Sequence, residues 1–118
     1  MKNYSIIFNN YNLLNRKEMV MENNLNSKQR AYLRSLANGI DSIFQIGKSG
    51  VSENLIQQLK DALEARELIK ISVLETAPDS AKVLGNELAE LTGAVLVQTI
   101  GNKITLFKKR EKNSRINL

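Results

Sequence analysis

A chain of 118 residues, 42% hydrophobic and 25% charged, suffices for one domain with a single modest core and does not have the composition of a disordered protein. It has no cysteine and no histidine, which excludes disulfides and thiolate chemistry and removes the commonest general base and metal ligand. Its formal net charge of +5 favours an acidic partner over a neutral one, and no apolar run approaches the roughly 20 residues of a membrane span.

The first 21 residues are unlike the rest. They hold Asn3, Asn9, Asn10, Asn12 and Asn15 and three of the six aromatics (Tyr4, Phe8 and Tyr11), with neither helical nor strand period. Ile6, Ile7 and Phe8 are cut short by asparagines and no small-residue cleavage site follows, so a secretory signal is not expected and the protein is expected in the cytoplasm. Residues 1–21 are read as a translated leader or disordered arm, with Met21 as the natural start.

The first helix is expected over "LNSKQRAYLRSLANG", with Asn26 or Ser27 as its cap and Gly39 as a left-handed exit. Tyr32, Leu33, Leu36 and Ala37 form its apolar stripe, while Arg30 and Arg34 stand four apart on another face. "SIFQI" reads as a short strand. Ser52 is placed to cap a second helix running to about Arg66, on which Leu55, Ile56, Leu59, Ala62 and Leu63 recur at the helical period. "LIKISVLE" alternates as a strand with Ile69, Ile71 and Val73 on one side. Pro78 and Asp79 are expected to open a third helix, buried through Leu84, Leu88 and Leu91 and ended by Gly93. "AVLVQTI" and "KITLFKK" flank Gly101-Asn102, a two-residue hairpin connection with glycine in the first place. The expected fold is therefore α/β, a single compact domain of order α-β-α-β-α-β-β with a mixed four-stranded sheet covered by helices. The tail "REKNSRINL" has no period; residues 109–118 are expected as a basic mobile tail.

Charge follows the same map. Residues 26–50 carry Lys28, Arg30, Arg34 and Lys48 against Asp41, and residues 103–118 carry six basic groups against Glu111. The middle, residues 51–102, carries eight acidic groups against four basic ones. A fold that joined the two ends would create one basic face.

Between the first strand and second helix lies Gly47-Lys48-Ser49-Gly50. Gly47-Lys48-Ser49 matches the end of a nucleotide-binding P-loop, but the first glycine of that motif would fall on Ser42, inside a strand. Read instead as a G-x-x-G turn, the two glycines let backbone approach a sugar-phosphate chain next to a helix N-terminus, with Lys48 adding charge and Ser49 a hydroxyl. Lys28, Arg30, Arg34, Lys103, Lys108, Lys109 and Arg110 are the candidate phosphate contacts around it. Asp61, Glu64, Glu67, Glu87 and Glu90 read as a solvated acidic face, Tyr32 and Phe44 as core, and no cofactor, metal set or catalytic group is expected.

"LNSKQRAYLRSLAN", "IGKSGVSENLIQQLKDALEARELIKI" and "TGAVLVQTIGNKITLFKK", in this order, resemble the bacterial YhbY-type proteins, which consist of a single CRM domain. The resemblance covers residues 25–118, with the domain itself over 25–108. It implies an RNA-binding module, associated in bacteria with precursors of the large ribosomal subunit, and a fold similar to the C-terminal domain of translation initiation factor three. It maps the family's G-x-x-G loop onto Gly47–Gly50 and its basic first helix onto Lys28, Arg30 and Arg34. A monomer is expected, with ribosomal RNA as its partner. A protein-interaction adaptor docking on the ribosome through the acidic middle, or a general RNA chaperone or tRNA binder, are the alternatives.

Overall fold

The structure is a computed structural model that describes residues 25–116 and Leu118; the leader reading of residues 1–21 lies outside the described residues. The elements are α1 (Ser27–Ala37), β1 (Ser42–Ile46), α2 (Glu53–Arg66), β2 (Leu68–Val73), α3 (Ala81–Thr92), β3 (Val95–Ile100) and β4 (Lys103–Phe107), in the expected order. They build one mixed sheet of order β1-β2-β4-β3, with β1 parallel to β2 and the other pairs antiparallel.

Each helix starts where a side chain can satisfy an orphan amide. Asn26 caps α1 in a reciprocal box: its Oδ1 accepts from the Gln29 amide at 2.8 Å, while Gln29 Oε1 accepts from the Asn26 amide at 3.1 Å. Ser52 Oγ accepts from the Leu55 amide at 3.1 Å to start α2. The third helix begins later than expected: Ser80, rather than Pro78-Asp79, supplies the cap, accepting from the Val83 amide. Its exit at Gly93 is left-handed, as is Gly101 in the hairpin, but Gly39 is not, because α1 ends on Asn38 in right-handed geometry.

The period-2 pattern of β2 divides the core. Ile69, Ile71 and Val73 point to the layer formed by α2 and α3, where they meet Leu59, Leu63, Leu84, Leu88, Ile104 and Leu106. A Cβ on Gly85 would stand 3.0 Å from Leu96 Cδ1, so a glycine there lets α3 lie close to the sheet. The opposite face bears Leu68, which with Val97 and Phe107 forms a second, smaller core beneath Leu33 and Ala37 of α1. The sequence pattern did not reveal that β2 is buried on both faces at this end.

Helix α1 covers only that end of its face. The next cross-strand row is Ser42, Lys70, Thr105 and Gln98; the row beyond it is Gln45, Ser72, Lys103 and Ile100. Tyr32, expected in the core, is 44% exposed on the outer side of α1, since Leu33 and Ala37 already fill the contact with the sheet. Phe44 is half-buried and packs on the main core.

Candidate nucleic-acid interface

The Gly47–Gly50 turn follows directly from the end of β1. It is closed by a 3.0 Å bond from the Gly50 amide to the Gly47 carbonyl, leaving Lys48 and Ser49 exposed at its tip. Both glycines have local reasons to be there. Gly50 has φ +65°, and a Cβ on it would lie 3.0 Å from Pro78 Cγ. The corresponding position on Gly47 meets Leu74 Cδ1 and Thr76 Oγ1 at 3.5 Å, ordinary contacts. One side of the turn is therefore backed by residues 74–78, and only the other side is available to a ligand. The amide end of α2 is also less free than the sequence suggests: Ser52 takes the Leu55 amide and Glu53 places a carboxylate in the first turn. Charge at this loop rests on Lys48.

The fold sorts the remaining basic candidates into two groups. Lys103 lies at the loop's end of the sheet, because it pairs with Ser72 while Val73 pairs with Ile46. Its Nζ donates to Ser72 Oγ at 2.6 Å, which holds the side chain over the sheet. Lys108, Lys109 and Arg110 follow the other end of β4, roughly 17 Å from Lys103 at about 3.4 Å per residue. One phosphate cannot meet both groups. Lys108 Nζ caps α3, donating to the Thr92 carbonyl at 3.3 Å. Lys109 is exposed and Arg110 half-buried.

The basic residues of α1 also differ among themselves. Arg30 Nη1 donates to the carbonyls of Leu96 at 3.1 Å and Val97 at 2.6 Å, at the bulge in β3 where the ladder shifts register. It ties α1 to an edge strand and is committed to the fold. Arg34 is exposed one turn further along, and Lys28 is exposed on the side of the helix that bears Tyr32.

Glu67 is the residue that sequence reasoning misplaced. Expected on a solvated acidic face, it is fully buried between α2 and β2. It joins helix to strand as a single residue with φ +67°. Its amide donates to the Leu63 carbonyl and its carbonyl accepts from the Lys108 amide, both at 2.8 Å. Its carboxylate then gathers the C-terminal segment: Oε2 accepts from the Arg110 amide at 3.0 Å and the Ser114 hydroxyl at 2.6 Å, and Oε1 from the amides of Arg115 at 2.6 Å and Ile116 at 3.2 Å. Burial alone would raise its pKa, but these four bonds outweigh it and hold the carboxyl below its ordinary value. Residues 110–116 are thus laid against the domain, with Ile116 on the α1 core, in place of the free tail expected from the sequence. The sequence did contain one hint: the joint between an obvious helix and an obvious strand has no glycine.

Among the described residues no group of three acidic, histidine or cysteine side chains is placed to hold a metal ion, and no helix is long and apolar enough to cross a membrane.

Residues 25–108 match the family model described as the CRS1 / YhbY (CRM) domain. The chain is 46% identical over 94 residues to a Bacillus subtilis protein named "Probable RNA-binding protein YqeI", with 80% of this chain and 98% of that one covered. A Haemophilus influenzae protein named "RNA-binding protein" is 30% identical, covering 75% of this chain and 89% of its own. The solution structure of the hypothetical protein SAV1595 from Staphylococcus aureus, described as a candidate RNA-binding protein, superposes with a TM-score of 0.68 at 49% identity, over 80% of this chain and 99% of that one. With the family model matched over most of the chain and a relative 46% identical over nearly its whole length, the chain belongs to the CRS1/YhbY (CRM) family.

Proposed function

We propose that this protein is a non-enzymatic RNA-binding module that acts on the precursor of the large ribosomal subunit during its assembly, as a cytoplasmic monomer. The observation that carries the reading is an exposed lysine at the tip of a glycine turn, in a chain whose relatives are named for RNA binding. Lys48 and Ser49 engage a phosphate from the open side of the turn, and Lys103 extends the contact along the same end of the sheet. Lys28, Arg34 and Lys109 are exposed and enlarge the basic surface, whereas Arg30 and Lys108 serve the fold first. Affinity on this reading is dominated by phosphate neutralisation, so it falls steeply with salt.

Crosslinking bound RNA in growing cells, then sequencing it, tests the assignment: large-subunit precursor RNA is expected, and enrichment of transfer RNA or mixed messengers would overturn it. Lys48→Glu is the matching variant. Substituting Gly50 would be a poor choice, since its backbone geometry and Pro78 make any side chain there a folding defect. A folded Lys48→Glu protein that still cosediments with ribosomal particles like the wild type would favour an adaptor that docks through protein contacts.

A further inference from the structure

The face of the sheet that carries α1 is only partly covered. Leu33 and Ala37 seal the end at Leu68, Val97 and Phe107, and the two rows beyond are polar apart from Ile100. In those rows Gln45, Lys103 and Ile100 are exposed, Ile100 by 62%, and Ser42, Lys70 and Gln98 are half-buried, while the short side chains of Ser72 and Thr105 between them are buried, so the strip is open at its two edges and along its lysines. The charged side chains there are Lys70 and Lys103; no carboxylate shares the two rows. The strip lies directly next to the glycine turn, because Gln45 is two residues before Gly47. Lysines in adjacent strands, unopposed by carboxylates, suit a polyanion.

We propose that this open strip binds a single strand of RNA leading away from the Gly47–Gly50 turn, with Lys70 and Lys103 on its phosphates and Ile100 against a sugar or base. The inference rests on the RNA-binding reading above and adds to it a surface and a strandedness. Four strands about 4.8 Å apart make the strip roughly 14 Å long, and two rows make it roughly 7 Å wide. Helix α1 bounds one side. A single strand fits such a strip, whereas double-stranded RNA is gripped by shape over a far longer footprint.

The test measures binding of an oligouridine probe and a blunt RNA duplex across a salt series. Lys70→Gln is expected to weaken oligouridine binding about threefold at low salt and to reduce the slope of log affinity against log salt by about 0.7, as for one lost phosphate contact. Gln45→Lys, an exposed change that leaves the core untouched, is expected to tighten binding and steepen the slope, and it carries the test alone if Lys70→Gln does not fold. If Lys48→Ala weakens binding while Lys70→Gln and Gln45→Lys both behave as wild type, the strip is not a binding surface and the broader reading survives. If Lys48→Ala also has no effect, both fall. A Lys70→Gln effect confined to the duplex overturns the single-strand assignment.

Discussion

Two joints in this molecule require the same uncommon backbone geometry and reach it by opposite means. Gly50, between β1 and α2, has φ +65°; Glu67, between α2 and β2, has φ +67°. At Gly50 the absence of a Cβ removes the clash, and the only demand on the surroundings is Pro78 close by. At Glu67 the clash remains, of order 1 kcal/mol, and is offset by two backbone bonds and four to the carboxylate. A joint made with glycine is indifferent to the rest of the chain. A joint made with a buried carboxylate is also a docking point, and here it is what holds the C-terminal segment.

The largest effect should come from Glu67→Ala. It keeps the unfavourable φ and leaves the amides of Arg110, Arg115 and Ile116 to find water, so urea unfolding should show a loss of about 2–3 kcal/mol. Glu67→Gly loses the same bonds but relieves the backbone and should recover about 1 kcal/mol of that loss. If the two variants were equally unstable, backbone strain would have no part in this joint. Protease digestion should release the C-terminal segment from both variants before the domain is cut.

Next in size is Gly50→Ala, expected to cost about 1–2 kcal/mol from φ and the Pro78 contact, while Gly47→Ala, with only ordinary contacts, should stay within about 0.5 kcal/mol of wild type. Equal costs would mean that the turn needs both glycines for its fold. The pH dependence sharpens the contrast further. The folded pKa of Glu67 is lowered, so the unfolded state binds more protons as the solution is acidified. The stability that Glu67 confers over Glu67→Gln is therefore complete above its unfolded pKa of about 4.5 and is lost as pH falls through the lower folded value. Denaturation at a series of acid pH values should show the two proteins converging; a gap that widened on acidification would reverse the assigned shift. The smallest effect is Tyr32→Ala, which should change stability by less than about 0.5 kcal/mol because the ring is outside the core.

Much of this was legible in the chain itself. The helical stripes of α2 and α3, the alternation in β2, the Ser52 cap and the Gly101-Asn102 hairpin depend on neighbours a few residues apart, and spacing alone locates them. The glycine turn was equally visible, because local backbone conformation and residue type are tightly linked. Residues such as Arg30, Glu67 and Tyr32 were misjudged for a common reason. Arg30 and Glu67 lie on faces that look solvent-exposed along their own elements and Tyr32 on one that looks buried, but the fate of each is set by a segment far away in sequence: β3 for Arg30, the C-terminal segment for Glu67, and for Tyr32 the narrowness of the contact between α1 and the sheet.

The sequence by itself determined the class of fold, the order of its elements, the turn at Gly47–Gly50 and the family, since all of these are written in short-range periodicity and motif. Only the tertiary structure decided which basic groups stand together, that Lys70 shares a sheet face with Lys103, and that a glutamate would be buried. Such facts depend on sheet order and register, which bring together residues some thirty to fifty positions apart. No local pattern encodes them, because the free energy that selects one pairing over another belongs to the assembled core.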